Sequence, residues 1–155
     1  MPKAAWLIFA ASVGALAFVF ISQYVFGYEP CVLCIWQRVP YGLAAVLSLI
    51  AVVRKPYGFY TQILMLLCAS LFVLSAGLAL FHTGVELHWW LGTSGCAVEP
   101  LSGASVDDVR TALLKTPVAR CDQISWTFLG FSMANWNIPF SLGLAGLSVS
   151  AARKT

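Results

Sequence analysis

Charge is scarce in this sequence. Of its 155 residues, 10% are Asp, Glu, Lys or Arg, while 60% are hydrophobic. About a quarter of an ordinary soluble chain is charged, so this composition excludes a water-solvated globular domain and points to lipid as the solvent. No segment repeats internally, so the chain reads as one domain, residues 1–155. The few basic residues form no patch of the kind that binds a polyanion, which excludes a nucleic-acid partner.

What is present in quantity is apolar sequence without interruption. Residues 4–26 carry no charge over 23 positions, and 57–81 none over 25. Residues 39–53 and 136–152 add runs of 15 and 17, the former reaching about 19 with 35–38. A bilayer span needs about 20 apolar residues, with about 17 tolerated. The expected fold class is therefore all-α: a polytopic membrane protein, an antiparallel bundle of four transmembrane helices over about 4–26, 36–53, 58–81 and 137–152. The connections at 27–35 and 54–58 are short. The first run is too long for the roughly 7–15-residue core of a signal peptide, and no small-x-small cleavage site follows near Gly27.

Charge placement orients the bundle. Lys3, Arg54, Lys55, Arg153 and Lys154 flank the spans on one side; all six acidic residues, with Arg38, Arg110, Lys115 and Arg120, fall on the other. Positive residues mark the cytoplasmic face. Both termini are expected there, in a bacterial inner membrane, with loops 27–35 and 82–136 on the periplasmic side. The second of these is too long for a plain turn. His88–Trp90, Trp126 and Trp136 suit an aromatic belt at the membrane boundary. Residues 105–116 carry a short amphipathic helix pattern that Ser105 and Asp108 start and Pro117 stops.

There are five cysteines. Cys68 sits mid-span among leucines and reads as a small buried hydrophobe. Cys31, Cys34, Cys96 and Cys121 all fall on the non-cytoplasmic side, where a bacterial compartment is oxidising. Four cysteines allow three pairings. Spacing favours Cys31 with Cys34 and Cys96 with Cys121. A structural staple suits the second pair, which closes a long loop, but a two-residue gap closes almost no chain entropy. C-x-x-C pairs are redox-active or metal-binding more often than bracing. Four sulfurs would suit zinc, yet the second pair is not C-x-x-C and the compartment disfavours free thiolates, so no metal is expected.

The segment E-P-C-V-L-C-I-W-Q-R places Arg38 four residues after Cys34, on the same helical face. Its charge is permanent. It either snorkels to headgroups or holds a negative charge beside Cys34, where a helix N-terminus also favours thiolate over thiol. Pro40 leaves two possibilities: the helix starts at about 36–37, or it starts earlier and accommodates the proline. Neighbours of Cys34 are apolar, which suits an acceptor dissolved in lipid, and a quinone takes the two electrons that a closing dithiol releases.

C-V-L-C-I-W-Q-R, F-H-T-G-V-E and C-D-Q-I-S-W-T-F-L-G-F-S-M-A-N-W-N, in this order on a four-span chain, closely resemble the DsbB family of bacterial inner-membrane enzymes. That resemblance implies an enzyme, a protein-dithiol:quinone oxidoreductase. It would reoxidise a periplasmic thioredoxin-like, DsbA-like donor and pass electrons to ubiquinone or menaquinone. It implies Cys31 and Cys34 as the quinone-proximal pair, with Cys34 contacting the quinone and Arg38 stabilising it. It implies Cys96 as the residue that joins the donor in a mixed disulfide and Cys121 as free to engage Cys31. His82 resembles a family histidine near the quinone; otherwise it is an interfacial side chain bonded to the loop. Residues 97–120 carry no family motif. Two other readings are a non-enzymatic tetraspan scaffold with a braced loop, and a quinone reductase resembling vitamin K epoxide reductase. The latter family carries its C-x-x-C on the last helix, whereas here it precedes the second.

Overall fold

The computed structural model describes residues 2–54, 58–93, 96, 105, 107 and 119–154. Four long helices dominate: α1 (Pro2–Tyr24), α2 (Val32–Arg54), α3 (Phe59–Glu86) and α4 (Met133–Arg153). The first three are long and apolar enough to cross a membrane. At 21 residues α4 also has the length, since about 1.5 Å per residue carries it across a roughly 30 Å core. The expected helix at 105–116 lies largely outside the described residues.

Helix ends extend past the expected spans. α2 begins at Val32 rather than at 36, α3 runs on to Glu86 rather than 81, and α4 begins at Met133 rather than 137. Apolar runs mark where lipid stops, whereas helices continue as long as their polar residues find partners. His82, Thr83 and Glu86 are buried in the last turns of α3, so the chain stays helical through them. Pro40 lies inside α2; its missing N–H leaves the Trp36 carbonyl without its helical partner, and the helix accommodates this rather than starting after the cysteines.

The interior is built for close approach. Ile8, Tyr41, Ala44, Met65, Cys68, Phe72 and Leu144 form the central cluster. Ser48, Ser75, Ser141 and Ser148 are fully buried between helices. Lipid is as apolar as leucine, so helices in a bilayer associate through tight packing and small residues. Cys68 is one of these packing residues, with no accessible surface. α3 packs along α4 and α2, while α1 rests on α2 and touches α4 far less. A cleft is left between α1 and α4.

Before α4 comes a β-hairpin, β1 (Thr127–Phe128) paired antiparallel with β2 (Phe131–Ser132). Leu129 and Gly130 form its turn with φ of 53° and 83°. Two positive φ values in a two-residue loop define the type I′ turn that matches strand twist. Trp126 stacks on Phe128 at 6.0 Å, and the Trp136 indole donates to the Phe128 carbonyl at 3.0 Å. These rings roof the outer end of the cleft.

Candidate active site

Cys31 is the N-cap residue of α2. Its carbonyl accepts the first helical bond, from Ile35 N–H at 3.1 Å, and its sulfur accepts the Cys34 N–H at 3.3 Å. A thiol thus stands where serine usually caps a helix. Cys34 follows in the first turn, and the two unbonded sulfurs lie 2.9 Å apart. The side chain of Cys34 is the strongest of the donors holding the Cys31 thiol well below its ordinary value of 9.0; burial opposes this, and His82 and the Cys34 amide add to it. Both donors from Cys34, its thiol and its amide N–H, thus favour negative charge on Cys31.

His82 approaches from α3. Its Nε2 lies 3.5 Å from Cys31 Sγ and 3.8 Å from Glu86 Oε1. Its Nδ1 is 2.9 Å from Gln37 Nε2. Glu86 in turn accepts from the Ser132 hydroxyl at 2.5 Å, and the same hydroxyl caps α4 by accepting the Asn135 N–H at 3.2 Å. Three helices are therefore locked together around one imidazole. Cys31 Sγ, Cys34 Sγ and a His82 ring nitrogen all lie within 4.8 Å of one another, one compact sulfur–nitrogen cluster.

Arg38 lies one turn beyond Cys34, and both line the cleft between α1 and α4. The guanidinium leans toward α1, donating to Gln23 Oε1 at 2.7 Å and sitting 5.1 Å from the Phe20 ring centroid. The cleft has a volume of about 530 Å³. Its walls are mostly apolar, including Phe18, Trp126, Trp136 and Phe140, with polar groups such as Cys34, Gln37, Arg38, His82, Glu86 and Asn137 set among them. Cavities of about 300–1,000 Å³ with a few convergent polar groups are typical of small-molecule sites.

The second cysteine pair is a disulfide, Cys96–Cys121, with Cα atoms 4.8 Å apart. Gly92 makes room for it, because a Cβ there would lie 2.6 Å from the Cys96 Cβ. Cys31, Leu33, Val85, Cys96 and Cys121 form one buried cluster, so both pairs meet at the outer end of the bundle. Beside it, Arg120 and Asp122 pair at the surface. That partnership holds the Asp122 carboxyl below its usual range.

All the site residues expected from sequence thus gather at one end of the molecule: Cys31, Cys34, Arg38 and His82 around the cleft mouth, and Cys96 and Cys121 against Cys31. Sequence reading passed over Gln37, Glu86, Ser132 and Asn137. Each had a faint signal, being a polar residue inside or beside an otherwise apolar run, where such residues are expensive unless partnered.

Comparison with known proteins shows the family. The family model for disulfide bond formation protein DsbB matches residues 2–151. A disulfide bond formation protein B of Marinobacter nauticus is 33% identical over 86% of this chain and 81% of its own length. One from Xylella fastidiosa is 34% identical over 88% and 80%. One from Xanthomonas oryzae pv. oryzae is 33% identical over 94% and 87%. No solved structure matches. A helical membrane bundle with a C-x-x-C at the mouth of its second helix, matched over nearly its whole length, places this chain in the DsbB family of disulfide bond formation proteins.

Proposed function

We propose that this disulfide oxidoreductase reoxidises a periplasmic, thioredoxin-like DsbA-type donor and delivers the electrons to a membrane quinone, ubiquinone or menaquinone. The observation that supports this reading is a cysteine pair set between two partners: Cys31 is buried against the Cys96–Cys121 disulfide, and Cys31 and Cys34 both line an apolar cleft of about 530 Å³. The cleft fits the substrate, with aromatic walls for a planar ring and Arg38 for its oxygens.

In this scheme the donor thiolate attacks Cys96 Sγ, and Cys121 leaves as thiolate. Cys121 then attacks Cys31 of an oxidised Cys31–Cys34 pair, and Cys34 leaves as thiolate into the cleft beside Arg38. The donor's second thiol closes its own disulfide and releases Cys96, which recovers Cys121. Cys31 and Cys34 then close again, losing two electrons and two protons, and quinone becomes quinol. Each exchange requires a thiolate as attacking group and a good leaving thiol. The same reading puts both termini in the cytoplasm of a bacterial inner membrane and the four cysteines in the periplasm, following the asymmetry of Lys and Arg.

The test is anaerobic mixing of purified protein with reduced thioredoxin-like donor and a short-chain quinone, followed by quinone absorbance. Wild type turns over. Cys34→Ser loses quinone reduction yet still traps the donor on Cys96. Full turnover by Cys34→Ser would remove the assignment.

A further inference from the structure

A directional chain of hydrogen bonds crosses the bundle beneath the cysteines. Tyr41 OH donates to Asn137 Oδ1 at 2.6 Å, and Ser141 Oγ donates to the same oxygen at 2.9 Å. Asn137 Nδ2 therefore points the other way, donating to Gln37 Oε1 at 2.6 Å and to Ser75 Oγ at 3.4 Å. With its oxygen occupied, Gln37 presents its amide nitrogen to His82 Nδ1 at 2.9 Å. An amide N–H only donates, so Nδ1 accepts and the neutral ring carries its proton on Nε2. The side chains at Nε2 both accept, Cys31 Sγ at 3.5 Å and Glu86 Oε1 at 3.8 Å, and the ring also has a hydrogen bond with the Cys121 backbone. Gln37 and His82 are both buried.

We propose that Gln37 and Asn137 are positioning residues that fix the His82 tautomer, making the imidazole a hydrogen-bond donor to the Cys31 sulfur rather than a base that takes its proton. The inference deepens the reading of Cys31 and Cys34 as a redox pair and rests on it. In that scheme Cys31 alternates between disulfide and thiolate. An N–H aimed at its sulfur stabilises the anion whenever it is released, so Cys31 is a better leaving group toward Cys121 and Cys34. The proton lost by Cys31 goes elsewhere, because Nε2 is already protonated. Other titratable or charged groups surround the same space: Cys34, Arg38 and Tyr41 from α2, Glu86 from α3, and Glu29 and Arg120 from the connecting segments. Of these, Glu86 accepts at Nε2 and so favours the same tautomer, while the Gln37 amide is the partner recorded at Nδ1.

The test is nitrogen-15 NMR of His82 in the detergent-solubilised full chain, together with a pH titration of the Cys31 Cβ carbon-13 shift in the reduced protein. Wild type is expected to show an unprotonated Nδ1 and a protonated Nε2 at neutral pH. Gln37→Leu is expected to mix the tautomers and raise the Cys31 midpoint by about one pH unit. Asn137→Leu, which touches neither His82 nor Cys31, is expected to do the same by freeing the Gln37 amide. Gln37→Glu, an acceptor facing Nδ1, is expected to place a proton there. A wild-type ring protonated on Nδ1, which would mean the amides run in the opposite sense, overturns the proposal. So do Gln37→Leu and Asn137→Leu spectra and titrations identical to wild type. The nitrogen spectrum reads the ring whatever the electron acceptor is, so it fails or succeeds independently of quinone reduction.

Discussion

Arg38 keeps its charge at any pH the protein meets, and at the rim of an apolar cleft that charge has few partners to choose from. Its bond to Gln23 and its place over Phe20 hold the guanidinium at the α1 side of the cleft, which Cys34 also lines. An oxygen-bearing ring in the cleft would meet both the arginine and the sulfur. A charge-assisted hydrogen bond contributes about 1.5–3 kcal/mol. Replacing Arg38 with methionine is therefore expected to lower kcat/KM for quinone by about 10- to 100-fold, at about 1.4 kcal/mol per factor of ten. Donor trapping on Cys96 should be untouched, as steady-state kinetics and gel mobility of the mixed disulfide will show. Cysteines and Arg38 were legible because each is chemically conspicuous against an apolar background. Gln37 was not, although it sits between Trp36 and Arg38 in the quoted motif. An amide declares its role only through its partners, and His82 and Asn137 come from helices 45 and 100 residues away.

At the scale of elements, Ser132 does two jobs with one hydroxyl, capping α4 and donating to the buried Glu86 carboxylate. Loss of an N-cap costs about 1 kcal/mol, and a buried acceptor left without its donor about 1–3. Ser132→Ala should therefore lower the thermal unfolding midpoint in detergent by about 4–16 °C for a chain of this size, and Ser132→Thr should recover most of it. An unchanged midpoint in Ser132→Ala would mean that the hydroxyl is not holding α4 to α3. The helices themselves could be read from apolar runs, but their outer ends could not. Hydropathy falls away at His82 and at Asn135, whereas hydrogen bonds such as Thr83 to Asn135 Oδ1 at 2.8 Å keep both helices winding. The hairpin before α4 was hidden in T-F-L-G-F-S, where the Leu-Gly pair takes the two positive φ values. Leucine rarely adopts that conformation, so composition gave no warning.

For the whole molecule, scarcity of charge implies that lipid surrounds the bundle, and the asymmetry of Lys and Arg supplies its proposed orientation. Neither reveals the cleft, which exists because α1 leans on α2 and leaves α4 largely uncovered on one side. The account requires that this opening, and no other face, receives the electron acceptor. A shallow groove between α2 and α3, lined by Leu43, Val46 and Leu67, offers an apolar surface that none of Cys31, Cys34, Cys96 and Cys121 lines. Photolabelling with an azido-quinone in lipid nanodiscs, followed by mass spectrometry, separates the two. Labels on Phe18, Trp126, Trp136 or Phe140 that excess quinone suppresses are the predicted result. Labels confined to the Leu43–Val46 face, with the cleft unmarked, would contradict it.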